Sequence, residues 1–360
     1  MVMIFLKPTP QRFQRILAAF LLFTSVSSLS AAPENAVQWQ SDDLLRLPPA
    51  ALESLQTLVI DRGHGAERRL ELLMDLLFAE DGLALQYSAQ PTLSAAEAFA
   101  AGHGNCLSFT LLFLALAEAA GIEAQARELR LAADWRRDGD ALFETGHINV
   151  EVRTERRRLI VDFSPRPVEL SSNAVQSARL ISAERVKAHF FNNRAAELIV
   201  AGDIVAARQM NEQALALAPD LISALNNRGV IEARLGQHDL AEDFYQRARI
   251  LEPDNVNALF NLLNLHQRND RHEKAAVIRA RLETLSPRDP YFQWALGRQF
   301  EADGNYRQAL DFFQRAVRLQ PADPLLHLSL ANAANALELN PRAQRALGQA
   351  RELMATDQDE

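Results

Sequence analysis

Ala214-Leu-Ala-Leu-Ala-Pro219 is the first of three kindred segments, followed by Ala248-Arg-Ile-Leu-Glu-Pro253 and Ala316-Val-Arg-Leu-Gln-Pro321. Their prolines, together with Pro287, stand 34 residues apart without drift. A fixed period of this length marks stacked helix-turn-helix units, each of which buries its apolar face only against its neighbours. Other residues keep the same phase. Gly202, Gly236 and Gly304 fall where the two helices of a unit must turn, and Ala207, Ala241, Ala275 and Ala309 recur where the second helix needs a small packing residue. Gly229 and Gly297, with Tyr245 and Phe313, complete the pattern in the second and fourth units.

Over about residues 188–357 these markers resemble the tetratricopeptide repeat (TPR) family. The third unit departs from the pattern, with Leu263 for the first glycine, Asp270 for the turn glycine and Arg279 for the aromatic; the fifth keeps Ala331, Ala343 and Ala350 but lacks the closing proline. The expectation is four good repeats and a degenerate, capping fifth, since terminal repeats are usually atypical. The resemblance implies that the first helix of each pair lines a concave face that binds a peptide or protein. Asn193, Asn227 and Asn261 recur at the repeat period, with Asn264 close to the last of them. Side-chain amides both donate and accept, so a stacked row of them suits an extended peptide backbone without demanding a sequence. The alternative is a polar, solvated helix face.

The rest of the chain sets the context. Its 360 residues are 48% hydrophobic and 23% charged, which is globular composition with room for two domains. Lys plus Arg total 38 against 46 Asp plus Glu, a formal charge of -8, so no nucleic-acid partner held by phosphate contacts is expected. Lys7, Arg12 and Arg15 precede an apolar run from Ile16 to Val26, and small residues follow to Ala32. Residues 1–32 therefore read as a signal peptide, and the mature protein is expected to be exported, periplasmic or secreted. The run is shorter than the ~20 residues of a spanning helix, so no stable membrane span is expected after cleavage; an uncleaved anchor is the alternative. In an oxidising compartment cysteines normally pair, yet Cys106 is the only one. It is either a small buried hydrophobe or a thiol kept for chemistry.

Residues 33–187 are where that chemistry would lie. Gly102 and Gly104 break any helix, and from Cys106 a helix-compatible run continues to Gly121, so Cys106 opens a helix. A helix N-terminus favours thiolate over thiol. After Gly121 the pattern switches to strands over Ile122–Leu131, His147–Thr154 and Arg158–Phe163, the last two forming a hairpin about Glu155-Arg156-Arg157. A polar loop is expected around Ala133 to Thr145. The fold class is thus an α+β domain followed by an all-α repeat domain.

Gly-Asn-Cys at a helix start, Gly-His on one strand and Val-Asp-Phe on the next resemble the transglutaminase-like branch of the papain superfamily, over about residues 50–170. The resemblance implies a Cys-His-Asp triad in this chain order: Cys106 as nucleophile, His147 as its base and Asp162 as the group that orients the imidazole. Acyl transfer from an amide would follow, through a thioester released to water or an amine. Domains of this family also serve as inactive binding scaffolds. His103 stands three residues before Cys106, a metal-ligand spacing that makes zinc a competing reading; no cofactor is expected. The expectation is an exported protein whose repeats recruit a polypeptide for Cys106. The alternatives are hydrolysis of cell-wall peptide crosslinks, or a non-catalytic adaptor carrying a degenerate enzyme fold.

Overall fold

A computed structural model describes residues 2–5, 43–129, 135–138, 141–144, 147–163, 178–285, 290–302 and 304–356. Most of the expected signal segment lies outside them. The chain divides into two compact units, one of residues 1–130 and 147–219, the other of residues 131–146 and 220–360.

The first unit contains β1 (Val2–Phe5), α1 (Pro49–Leu55) continuing into a π-helical turn at Gln56–Ile60, α2 (Ala66–Phe78), β2 (Gln86–Tyr87), α3 (Ala95–Ala101), β3 (His103–Gly104), α4 (Cys106–Ala119) and β4 (Glu123–Leu129). The chain then forms β5 (Trp135–Asp138) and β6 (Ala141–Glu144), which belong to the second unit, and returns as β7 (His147–Arg153), β8 (Arg158–Asp162), β9 (Arg179–Leu180), α5 (Ala183–Ala201) and α6 (Ile204–Leu217). The main sheet has the order β1-β8-β7-β4-β9; β1 runs parallel to β8 and the other pairs are antiparallel. Helix α4 is apolar on nearly every side and is correspondingly buried from Leu107 to Phe113 and again at Ala115 to Ala117. It shares one core with Val150, Val152, Leu159, Val161 and Phe163, and the Phe113 and Phe163 ring centroids are 5.6 Å apart.

The expected polar loop at Ala133 to Thr145 is in fact interrupted by a hairpin. Trp135 pairs with Glu144 and Asp138 with Ala141 in antiparallel register. Strand β1 falls within the expected signal segment, so cleavage after that segment would leave β8 as the sheet edge.

The sequence texture changes at 187–188, but the first compact unit runs on through Pro219. Helix α5 explains why. It buries Val186, Ala188, Phe190, Phe191, Ala195 and Ile199 and is tied by ionic contacts to the sheet. Glu128 of β4 meets Arg179 at 3.0 Å, Arg185 at 3.1 Å and His189 at 3.3 Å. Burial alone would raise the Glu128 carboxyl, but the neighbouring His189, Arg185 and Arg179 hold it well below the usual carboxylate range.

The second unit carries α7 (Ile222–Arg234), α8 (His238–Leu251), α9 (Val256–Arg268), α10 (His272–Leu285), α11 (Pro290–Ala302), α12 (Tyr306–Leu319), α13 (Pro324–Ala336) and α14 (Asn340–Thr356). With α5 and α6 these make five helix pairs at the period of the sequence. Every pair turns the same way. Gly202, Gly236, Asp270, Gly304 and Glu338 all have left-handed φ between 55° and 84°. The following residue donates its N–H to a carbonyl five residues back, as in Asp203 to Leu198 and Leu339 to Ala334, which closes the helix in a Schellman motif.

Packing within a pair is matched by size. A methyl group at Gly229 would overlap the Tyr245 ring, and one at Gly297 would overlap Phe313. In the third unit Leu263 fills the glycine position, and the facing position is Arg279, whose guanidinium lies 4.8 Å from the Phe300 ring centroid.

Candidate functional site

Local sequence accounts for the position of Cys106. Ser94 and Glu97 form a capping box that starts α3, and Gly102 ends it in the left-handed region. After β3 the chain reaches Asn105, the N-cap of α4, whose Oδ1 accepts from Ser108 N–H at 2.9 Å. Cys106 is the first helical residue, half-buried, and packs against the edge of the α4 core.

Its surroundings form a closed polar network. Asn105 Nδ2 donates to Thr92 Oγ1 at 2.8 Å, and Thr92 donates through both N–H and Oγ1 to Glu197 Oε1 of α5, each at 2.8 Å. Ser108 Oγ accepts from Leu93 N–H at 2.8 Å and donates to Asn105 Oδ1 at 3.0 Å. Arg194 holds the other Glu197 oxygen at 2.6 Å. Thr92, Asn105 and Ser108 are all buried, so these hydrogen bonds stand in for the ones that water gives the same atoms in the unfolded chain. None of these partners emerged from the sequence reading. The available signal was an asparagine directly before an apolar helix, a favoured N-cap.

Asp162 and His147 lie toward the same end of the sheet. Asp162 ends β8, is 1% exposed and accepts from Asn149 Nδ2 at 3.4 Å. His147 opens β7, paired in register with Leu129; its side chain lies outside the described ones. Phe109, one turn into α4, has its ring centroid 6.2 Å from that of Phe163, the residue after Asp162. The helix start therefore abuts the strand end. Side chains alternate along a strand, and Val161 and Phe163 face α4, so the Asp162 carboxylate turns to the opposite face with Asn149. The structure brings the Cys106 helix to the strand end, and Asn149 is a described side-chain partner of Asp162. Among the described residues, no group of three His, Cys, Asp or Glu side chains is placed to hold a metal ion, and no helix is long and apolar enough to cross a membrane.

The asparagine row is spread over both units. Asn193 lies on α5 in the first, while Asn227 on α7 and Asn261 and Asn264 on α9 lie in the second; all four are partly exposed. Asn264 Oδ1 accepts a hydrogen bond from Gln299 of α11, which joins the first helices of the third and fourth repeats. The neighbouring Asn226 is structural. It is buried and donates at 3.1 Å to Asn255 Oδ1, and Asn255 caps α9 through Ala258 N–H.

Among curated proteins, no relative matches the chain. Among solved structures it is similar to MamA, at 16% identity over 46% of this chain and 97% of that one, with a TM-score of 0.38. MamA from Desulfovibrio magneticus RS-1 shares 16% identity over 48% of this chain and 96% of its own, TM-score 0.36. The APC/C hetero-tetramer Cut9-Hcn1 shares 21% over 46% of this chain and 33% of its own, TM-score 0.39. Residues 225–357 match the family model described as tetratricopeptide repeat, and with the helix pairs and left-handed turns above this part of the chain is a tetratricopeptide-repeat array.

Proposed function

We propose that this protein is an exported adaptor that binds a polypeptide through the first helices of its repeats. The observation that carries the reading is the constant phase of the helix pairs, which sets Asn227 and Asn261 at the same place on successive first helices, each the same distance before its left-handed turn. Amides spaced in this way suit the alternating donors and acceptors of an extended main chain. The test is capture of partners from the exported fraction by the wild type and by a chain with Asn227→Ala and Asn261→Ala. Capture by the double variant should fall severalfold, and unchanged capture would remove the row. Export itself is tested by cell fractionation, with the processed chain expected outside the cytoplasm.

A second reading, that Cys106 transfers an acyl group from an amide, is favoured by one observation. The only thiol is half-buried at a capped helix start that abuts the β8 end, in the order helix, strand, strand that the transglutaminase-like resemblance requires. In this reading His147 takes the thiol proton, Cys106 attacks the amide carbon, and the amine leaves with that proton. The rate of Cys106 alkylation against pH tests it. A midpoint well below the unperturbed ~8.5, lost on His147→Ala, is expected; a midpoint at that value leaves the adaptor reading alone.

A further inference from the structure

Strands β4 and β7 are antiparallel neighbours paired as far as Leu129 and His147. A tight turn would close such a pair. Instead the chain leaves the main sheet after Leu129 and rejoins it at His147, and between them lies the β5–β6 hairpin, which is compact with the repeat unit and not with the main sheet. Connections of this length in compact domains usually have a task of their own. Among the described elements the hairpin lies against two first helices: β6 against α9 and β5 against α11. Those two helices are joined by the Asn264 to Gln299 hydrogen bond and so offer one continuous surface, and α9 also carries Asn261.

We propose that the β5–β6 hairpin is a built-in ligand of the α9–α11 surface, which a polypeptide partner must displace in order to bind. The inference rests on the adaptor reading for the identity of the competitor, but the docking of the hairpin stands apart from it. Extended backbone is the form in which such a partner would be held, and the chain already places extended backbone there. Occupancy from within the same molecule raises the apparent dissociation constant of any competitor by the inverse of the fraction of time that the surface is open.

The test uses the full chain with residues 130–146 replaced by an Asn-Gly turn, and a fluorescein-labelled peptide of residues 130–146 followed by anisotropy. With folding of the shortened chain verified by its thermal melt, the peptide should bind it at least about tenfold more tightly than it binds the wild type. A folded shortened chain that fails to bind the peptide overturns the proposal, as does equal binding to the wild type. A measurement on the intact protein covers the case in which the shortened chain does not fold. Amides of residues 135–144 should exchange at least about tenfold more slowly in the wild type than in the free peptide, and exchange at the peptide rate overturns the docking. Failure of the adaptor reading is seen separately, as unchanged partner capture by the Asn227→Ala and Asn261→Ala chain.

Discussion

Glu338 holds a backbone conformation that three other repeats give to glycine. Its φ of 58° costs a residue with a Cβ about 1 kcal/mol, so Glu338→Gly is expected to stabilise the chain by roughly that amount, read as a rise in unfolding midpoint. Asp270→Gly should gain less, because aspartate tolerates the left-handed region better. The opposite effect is expected at Gly229. An added methyl meets the Tyr245 ring, which is 3% exposed and has little room to move, so Gly229→Ala should cost about 1–3 kcal/mol. Combining it with Tyr245→Leu, a smaller ring-free side chain facing the added methyl, should return part of that loss. A double-mutant cycle measured by urea unfolding checks the pairing; strict additivity would contradict it.

At the scale of elements, what matters is how α5 is held. Glu128 has its folded pKa depressed by His189, Arg185 and Arg179, so the stabilisation is fully present above the unfolded carboxylate value of about 4.3 and is lost as pH falls below it. The melting temperature of the first unit should drop on acidification from about pH 5 to pH 3, and Glu128→Gln should lower it at pH 7 while flattening that drop. A slope identical in variant and wild type would place the acid sensitivity elsewhere. Helix α4 has its own point of attachment. Asn105→Ala removes the N-cap and leaves Thr92 without its Asn105 donor, so a loss of about 1–2 kcal/mol is expected. Thermal melts of the variant and of Asn105→Asp, which keeps the cap acceptor but loses the donor, separate the two contributions.

Across the whole molecule, the folding units and the sequence texture divide the chain at different places. A fragment that ends at residue 187 loses His189, which faces Glu128 on the sheet, and removes Glu197 from Thr92, whereas one that ends at residue 219 keeps them. The longer fragment should be soluble and melt cooperatively; the shorter should be aggregated or unfolded, as scattering and circular dichroism would show. Much was legible beforehand. The 34-residue period located the five helix pairs because each repeat is a local unit whose turn and small residues are set by nearest neighbours. The Cys106 helix and the strands β4, β7 and β8 were legible for the same reason, through glycine stops and a switch of periodicity. The strands β5 and β6 were hidden, because their polar flanks read as a loop. What no local pattern encoded was partnership at long range: Glu197 with Thr92, Asn149 with Asp162, and the seating of the β5–β6 hairpin on α9 and α11. Periodicity reports which face of an element is apolar, and so the sequence by itself determined the elements and their repeats. Which polar groups meet across elements depends on where the folded chain brings them together, and only the tertiary structure decided that the first repeat is compact with the α+β unit and that the β5–β6 hairpin lies against α9 and α11.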